Sequence, residues 1–163
     1  GPTYPAVSPD GARLAFSARG WLWTMAGEGG TAARLTKGAG LDSRPAWHPD
    51  GTRIAFVRDD TRNTDIVEVH IESGAETVLV SGPAADLDPA YAPDGSALYY
   101  ASAESGDLEI YRLDFASGGK TRLTNAPGLD LRPQPLADAH RASLRRRRAG
   151  APGRDRRGRE RGH

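Results

Sequence analysis

Apolar residues come along this chain in short bursts, and polar or glycine-rich breaks separate them. Arg13-Leu14-Ala15-Phe16, Arg53-Ile54-Ala55-Phe56 and Ala97-Leu98-Tyr99-Tyr100 are three such bursts. Each is too short for a helix of ordinary length and rich in residues that favour strands. A second set follows as Trp21-Leu22-Trp23-Thr24-Met25, Asp65-Ile66-Val67-Glu68-Val69 and Asp107-Leu108-Glu109-Ile110-Tyr111. A third closes each group as Arg34-Leu35-Thr36, Val78-Leu79-Val80 and Arg122-Leu123-Thr124. Before the C-terminal tail no segment keeps a 3.6-residue apolar period, so the pattern predicts strands throughout.

The breaks repeat with the strands. Ser8-Pro9-Asp10-Gly11, His48-Pro49-Asp50-Gly51 and Ala92-Pro93-Asp94-Gly95 place their aspartates 40 and 44 residues apart. Proline presets φ, aspartate bonds the backbone two residues on, and glycine accepts φ > 0, so each is a tight turn between strands. Pro5-Ala6-Val7, Pro45-Ala46-Trp47 and Pro89-Ala90-Tyr91 lead into the three turns. Gly29-Gly30, Ser73-Gly74 and Gly118-Gly119 mark a later turn in each unit. Every unit thus reads as four short antiparallel strands, and a period of 40–45 residues is that of a propeller blade. The expected fold is all-β: a fragment of a β-propeller with three four-stranded blades over 4–37, 44–81 and 88–125. A broken fourth blade start is expected over 126–138, and a disordered Arg-rich tail over 139–163.

The string Pro45-Ala46-Trp47-His48-Pro49-Asp50-Gly51-Thr52-Arg53-Ile54-Ala55-Phe56-Val57, with the Asp65-Ile66 strand start and the Arg122-Leu123-Thr124 blade end, resembles the WD40-like blade of the TolB propeller family. The resemblance covers about residues 4–135. Trp21 at the place of Asp65 and Asp107, and Val78-Leu79-Val80 at the place of Arg-Leu-Thr, depart from it. Such blades occur in TolB itself, in prolyl-oligopeptidase-like enzymes and beside amidohydrolase domains. The stretches Gly106–Leu113 and Gly128–Pro133 look most similar to the amidohydrolase-fused version. The resemblance implies a ring of six or more blades, so truncation at both ends is expected. It also implies a periplasmic or exported location.

Charge divides the chain. Of its 22 Lys and Arg and 21 Asp and Glu, the segment Arg141–His163 holds ten Arg against Asp155 and Glu160. The remaining 140 residues keep 12 basic and 19 acidic side chains. Asp138 falls one repeat after Asp94, yet Ala139-His140-Arg141 stands where a turn glycine belongs. A frameshift in GC-rich DNA would produce such an ending, and an apolar strand restored in another frame after codon 138 would reveal it. The alternative is a genuine basic arm for nucleic acid or anionic lipid. It has no aromatic residue for stacking and no amphipathic pattern, so nucleic-acid binding is not expected of it.

Candidate chemistry is sparse. Without cysteine, disulfides and the usual Cys-containing zinc sites are excluded. His48, His70, His140 and His163 have no metal-ligand spacing; His48 reads as a turn residue and His70 as a strand end. No Gly-x-Ser-x-Gly elbow occurs. Gly119-Lys120-Thr121 has Asp114 where a phosphate loop needs its first glycine, and Asp59, Asp60 and Asp65 lack the pattern of a calcium loop. No catalytic residue, metal or cofactor is therefore expected. No apolar run approaches the ~20 residues of a membrane-spanning helix.

One recurrent set remains. Asp42, Asp86 and Asp130 each precede a blade-opening proline by three residues, and Arg44 and Arg132 sit immediately before it. These joints between blades are expected to gather at the channel mouth. The aspartates either bond local backbone in every blade or form, with the arginines, a charged rim for a protein or peptide partner or a cation. The aromatics Trp21, Trp23, Trp47, Tyr91, Tyr99 and Tyr111 read as core packing. Two functions follow from the resemblance: a non-catalytic interaction scaffold like the TolB propeller, or the propeller of a larger amidohydrolase or oligopeptidase.

Overall fold

The structure, a computed structural model, describes residues 1–125 and 132–135. The fourth blade start and the tail, with Asp130 and the proposed frameshift point, lie outside the described residues apart from the short segment 132–135.

Among the described residues, twelve strands form three separate four-stranded antiparallel sheets, each a simple meander. The first holds β1 (Thr3–Val7), β2 (Arg13–Ala18), β3 (Trp21–Ala26) and β4 (Ala33–Arg34). The second holds β5 (Leu41–Trp47), β6 (Arg53–Asp59), β7 (Thr64–His70) and β8 (Glu76–Val80). The third holds β9 (Asp86–Tyr91), β10 (Ala97–Ser102), β11 (Glu109–Asp114) and β12 (Lys120–Arg122). β1 lies against β5 and β5 against β9, so the first strands of successive sheets line a common axis.

The Pro-Asp-Gly segments fold as their chemistry dictates. Gly11 donates its backbone N–H to Ser8 O at 2.9 Å, and Gly51 to His48 O and Gly95 to Ala92 O do the same. The three glycines share φ of 71–73°. Asp10, Asp50 and Asp94 each accept an N–H from two residues on, at 2.9–3.0 Å. His48 sits in its turn as read from the sequence: its Nδ1 accepts the Asp50 N–H at 3.1 Å.

The middle sheet shows why the units stack. Along β6, Ile54 and Phe56 join Ala15, Leu22, Val67 and Val69 in a cluster shared with the first sheet. Ala55, between them, points the other way, to Ile66, Val80, Tyr91, Leu98 and Tyr100 in a cluster shared with the third. Strand side chains alternate faces, so a strand apolar at every position is buried on both. Each fully buried Phe, Ile or Leu contributes roughly 2 kcal/mol. Polar ties cross the same seams: Trp47 Nε1 donates to Ala6 O at 2.9 Å, and Tyr91 OH donates to Glu68.

Candidate functional site

The joint that opens each blade has an unusual backbone. Tyr4, Arg44, Asp88 and Arg132 occupy equivalent positions, each immediately before a proline, and all four have φ between 52° and 57°. Left-handed backbone at a residue with a side chain costs of order 1–3 kcal/mol, and it recurs here at every joint. The cause is local. Proline has no N–H for the ladder, so the pairing slips: the register shifts between Thr3 and Ala6, between Ser43 and Ala46, and again opposite the Tyr99–Ala101 step of β10.

These four residues line one cleft of about 370 Å³ together with Pro5, Pro45, Pro89 and Pro133. They touch in series around it. The Arg44 guanidinium lies over the Tyr4 ring, 5.2 Å from its centre. Arg44 Nη1 donates to Asp88 Oδ1 in an ion pair, and Asp88 Oδ2 accepts the backbone N–H of Arg132 at 3.2 Å. Asp88 thereby ties the second blade to the segment after the third. Arg132 itself is exposed.

Of the residues singled out by spacing, Arg44 and Arg132 fall in this cleft, whereas Asp42 and Asp86 do not line it. Strict alternation would put residues 42 and 44 on one face; the left-handed residue 44 breaks it. Asp42 is 1% exposed. Its carboxylate accepts Arg58 Nε at 2.7 Å and Nη2 at 2.9 Å, and Arg58 reaches on to Glu76 at 2.6 Å. The hydrogen bonds Arg58 donates to Asp42 and Glu76 raise its pKa against the opposing effect of burial. Asp86, 3% exposed, donates its backbone N–H to Thr64 Oγ1 at 3.0 Å. Burial pushes its carboxyl above the usual range, and a hydrogen bond with Ser102 only partly offsets this. Spacing missed Asp88; an acid at the slot of two arginines, 44 residues from each, was the available signal.

Among the described residues no group of three or more His, Cys, Asp or Glu gathers as for a metal. Among them no helix is long and apolar enough to cross a membrane.

No protein-family model and no curated protein sequence matches the chain. Solved structures do. A protein assigned as TolB in Agrobacterium tumefaciens superposes with a TM-score of 0.73 at 30% identity, over 79% of this chain and 48% of that one. TolB from Acinetobacter baumannii gives 0.78 at 25% identity, over 93% of this chain and 39% of that one. These are TolB-like propeller blades. The chain spans about half or less of the TolB chains it matches. A puromycin-hydrolyzing peptidase of Mycobacterium tuberculosis shares the fold at 21% identity and a TM-score of 0.61, over 77% of this chain and 23% of that one. In these TolB-like blades each joint supplies the side chain before its proline to the cleft, three from the blades and Arg132 from the segment after them. Its contents are an aromatic ring, a paired arginine and aspartate, and an exposed arginine. Such a set can hold a carboxylate or a peptide backbone.

Proposed function

We propose that this TolB-like propeller segment is a non-catalytic interaction scaffold that receives a protein or peptide partner at the cleft formed by the blade joints. The observation that carries the reading is the left-handed residue repeated at Tyr4, Arg44, Asp88 and Arg132. Backbone strain sustained at each of these joints, while the side chain it presents changes from aromatic to cationic to anionic, supports a recognition surface. The three blades form part of a larger ring in this reading, as the length of the solved TolB chains suggests, and blade units 4–37, 44–81 and 88–125 are its modules. A periplasmic or exported location goes with the same likeness. Asp42 and Asp86 are outside the cleft lining, so Arg44 and Arg132, with Asp88, carry the contact; Asp130 stands within the proposal by position only.

A photo-crosslinking residue tests this. Placed at Arg132 in cells of the source organism, it is expected to capture a discrete protein band, while the same residue at Asp94, at the opposite end of its sheet, captures none. Equal capture from both positions, or from neither, would refute the reading. The second reading, a propeller serving a larger hydrolase, is favoured by the shared fold with the puromycin-hydrolyzing peptidase. Coding sequence downstream carrying Gly-x-Ser-x-Gly or His-x-His would support it.

A further inference from the structure

The second and third blades differ at one buried acid. In the second, Asp42 and Glu76 clamp the Arg58 guanidinium. Two glycines make room for that side chain: a Cβ on Gly38 would stand 2.9 Å from Arg58 Nη2, and one on Gly40 would stand 2.8 Å from its Cγ. Forty-four residues later the same places hold Gly82, Ala84, Asp86, Ser102 and Lys120. The acid is retained and stays buried, but serine replaces the arginine. Ser102 and Asp86 are direct cross-strand partners, as Arg58 and Asp42 are. A Cβ on Gly82 would meet nothing within 4 Å, so the room for a guanidinium is open. Ala84, by contrast, adds a methyl where the glycine at 40 makes way for the stem of Arg58. A cavity of about 390 Å³ results, lined by Gly82, Ala84, Asp86, Ser102, Glu104 and Lys120 among others. No ion pair among the described residues closes on Asp86.

We infer that this cavity is a second binding site, which takes the guanidinium head of an external ligand onto Asp86 in place of the arginine that the second blade supplies internally. Lys120, which stands where Glu76 completes the clamp, puts a cation at the rim. The matching ligand therefore carries an anionic group beside its guanidinium: a free guanidino acid or a C-terminal arginine. Burial of a carboxylate that has a serine hydrogen bond but no close ion pair is costly, and an incoming guanidinium with two parallel N–H donors relieves that cost better than an ammonium does. The raised pKa of Asp86 agrees with a carboxyl waiting for such a partner.

The full chain, labelled with nitrogen-15, is titrated near neutral pH with 3-guanidinopropionate, ethylguanidinium, ethylammonium and the peptide acetyl-Gly-Gly-Arg with a free carboxyl end. Saturable shifts are expected at the amides of Gly82, Ala84 and Ser102 with 3-guanidinopropionate or the peptide. Tighter binding of the peptide assigns a partner's C-terminus; equal binding assigns a free small molecule. Ethylguanidinium is expected to bind several-fold more weakly and ethylammonium more weakly still. Ser102→Arg combined with Ala84→Gly rebuilds the internal arginine and is expected to raise Kd at least tenfold, whereas Ala84→Gly alone preserves binding. Asp86→Asn, which removes the charge without changing shape, is expected to abolish it. Absence of saturable shifts in the unaltered chain, or unchanged affinity in the rebuilt double variant and in Asp86→Asn, would overturn the site. Equal affinity for ethylguanidinium and 3-guanidinopropionate would overturn the part given to Lys120.

Discussion

The innermost strand of each blade has two ends, and they repeat in different ways. At the Pro-Asp-Gly end, backbone and side chain recur together: the same aspartate accepts the same N–H, and glycines with φ of 71–73° stand at Gly11, Gly51 and Gly95. At the joint end the backbone recurs with its proline, while the residue before the proline varies. Its left-handed residue is tyrosine, arginine, aspartate and arginine in turn. Where the side chain is needed to make the turn, it is fixed by local chemistry. Where the backbone is held by proline and a bulge, the side chain is released for another task. Within one molecule, this separates the end that builds the blade from the end that gives each blade its individual surface.

The largest expected break in that contrast is at Asp88. Asp88→Ala removes the partner of the half-buried Arg44 and the acceptor for Arg132, and charged hydrogen bonds of this kind are worth about 1.5–3 kcal/mol. Urea denaturation should show that loss, with a clearly smaller one for Asp94→Ala at the exposed corner. The corner glycines come next, graded by their surroundings. Gly95→Ala forces a methyl to within 2.7 Å of the His48 ring and left-handed strain besides, whereas Gly51→Ala meets no atom within 4 Å. We expect a loss of about 2 kcal/mol for the first and about 1 kcal/mol for the second in the same measurement. At the joint the ranking of substitutions inverts: Tyr4→Gly should be more stable than Tyr4→Ala by about 1 kcal/mol, because only glycine adopts φ of 52° without strain.

Smallest is the response to acid, and it has two parts of opposite sign. Side-chain hydrogen bonds from Ser8 and Ser96 hold Asp10 and Asp94 below the ordinary 3.8. Their contribution is complete above that value and disappears as pH falls through their lower native values. Asp86 is displaced upward by burial, so it gains native-state protons first, and stability rises slightly as pH falls toward 3.8. Thermal unfolding across this range should therefore show a shallow rise before the acid decline, and Asp86→Asn should remove the rise alone.

The fold was legible because its determinants are local and repeated. Pro-Asp-Gly makes its turn from four consecutive residues, and strand alternation such as Ile54-Ala55-Phe56 declares two buried faces. The joint was only partly legible. Periodicity marks Arg44 and Arg132 as equivalent, but a matching of like residues passes over Asp88, whose charge is opposite. Nor does spacing reveal that a bulge separates Asp42 from Arg44. Asp42 finds its partner 16 residues away on the neighbouring strand, where only the register pairs it with Arg58.

Contact between the first two joints is the most direct test of the whole arrangement. In a nuclear Overhauser spectrum of the full chain, the Tyr4 ring protons should show cross-peaks to the Arg44 side chain, with those arginine protons shifted by the ring. Tyr4 cross-peaks confined to its own sheet, with Arg44 at random-coil shifts, would contradict blades that lean on one another around a common axis.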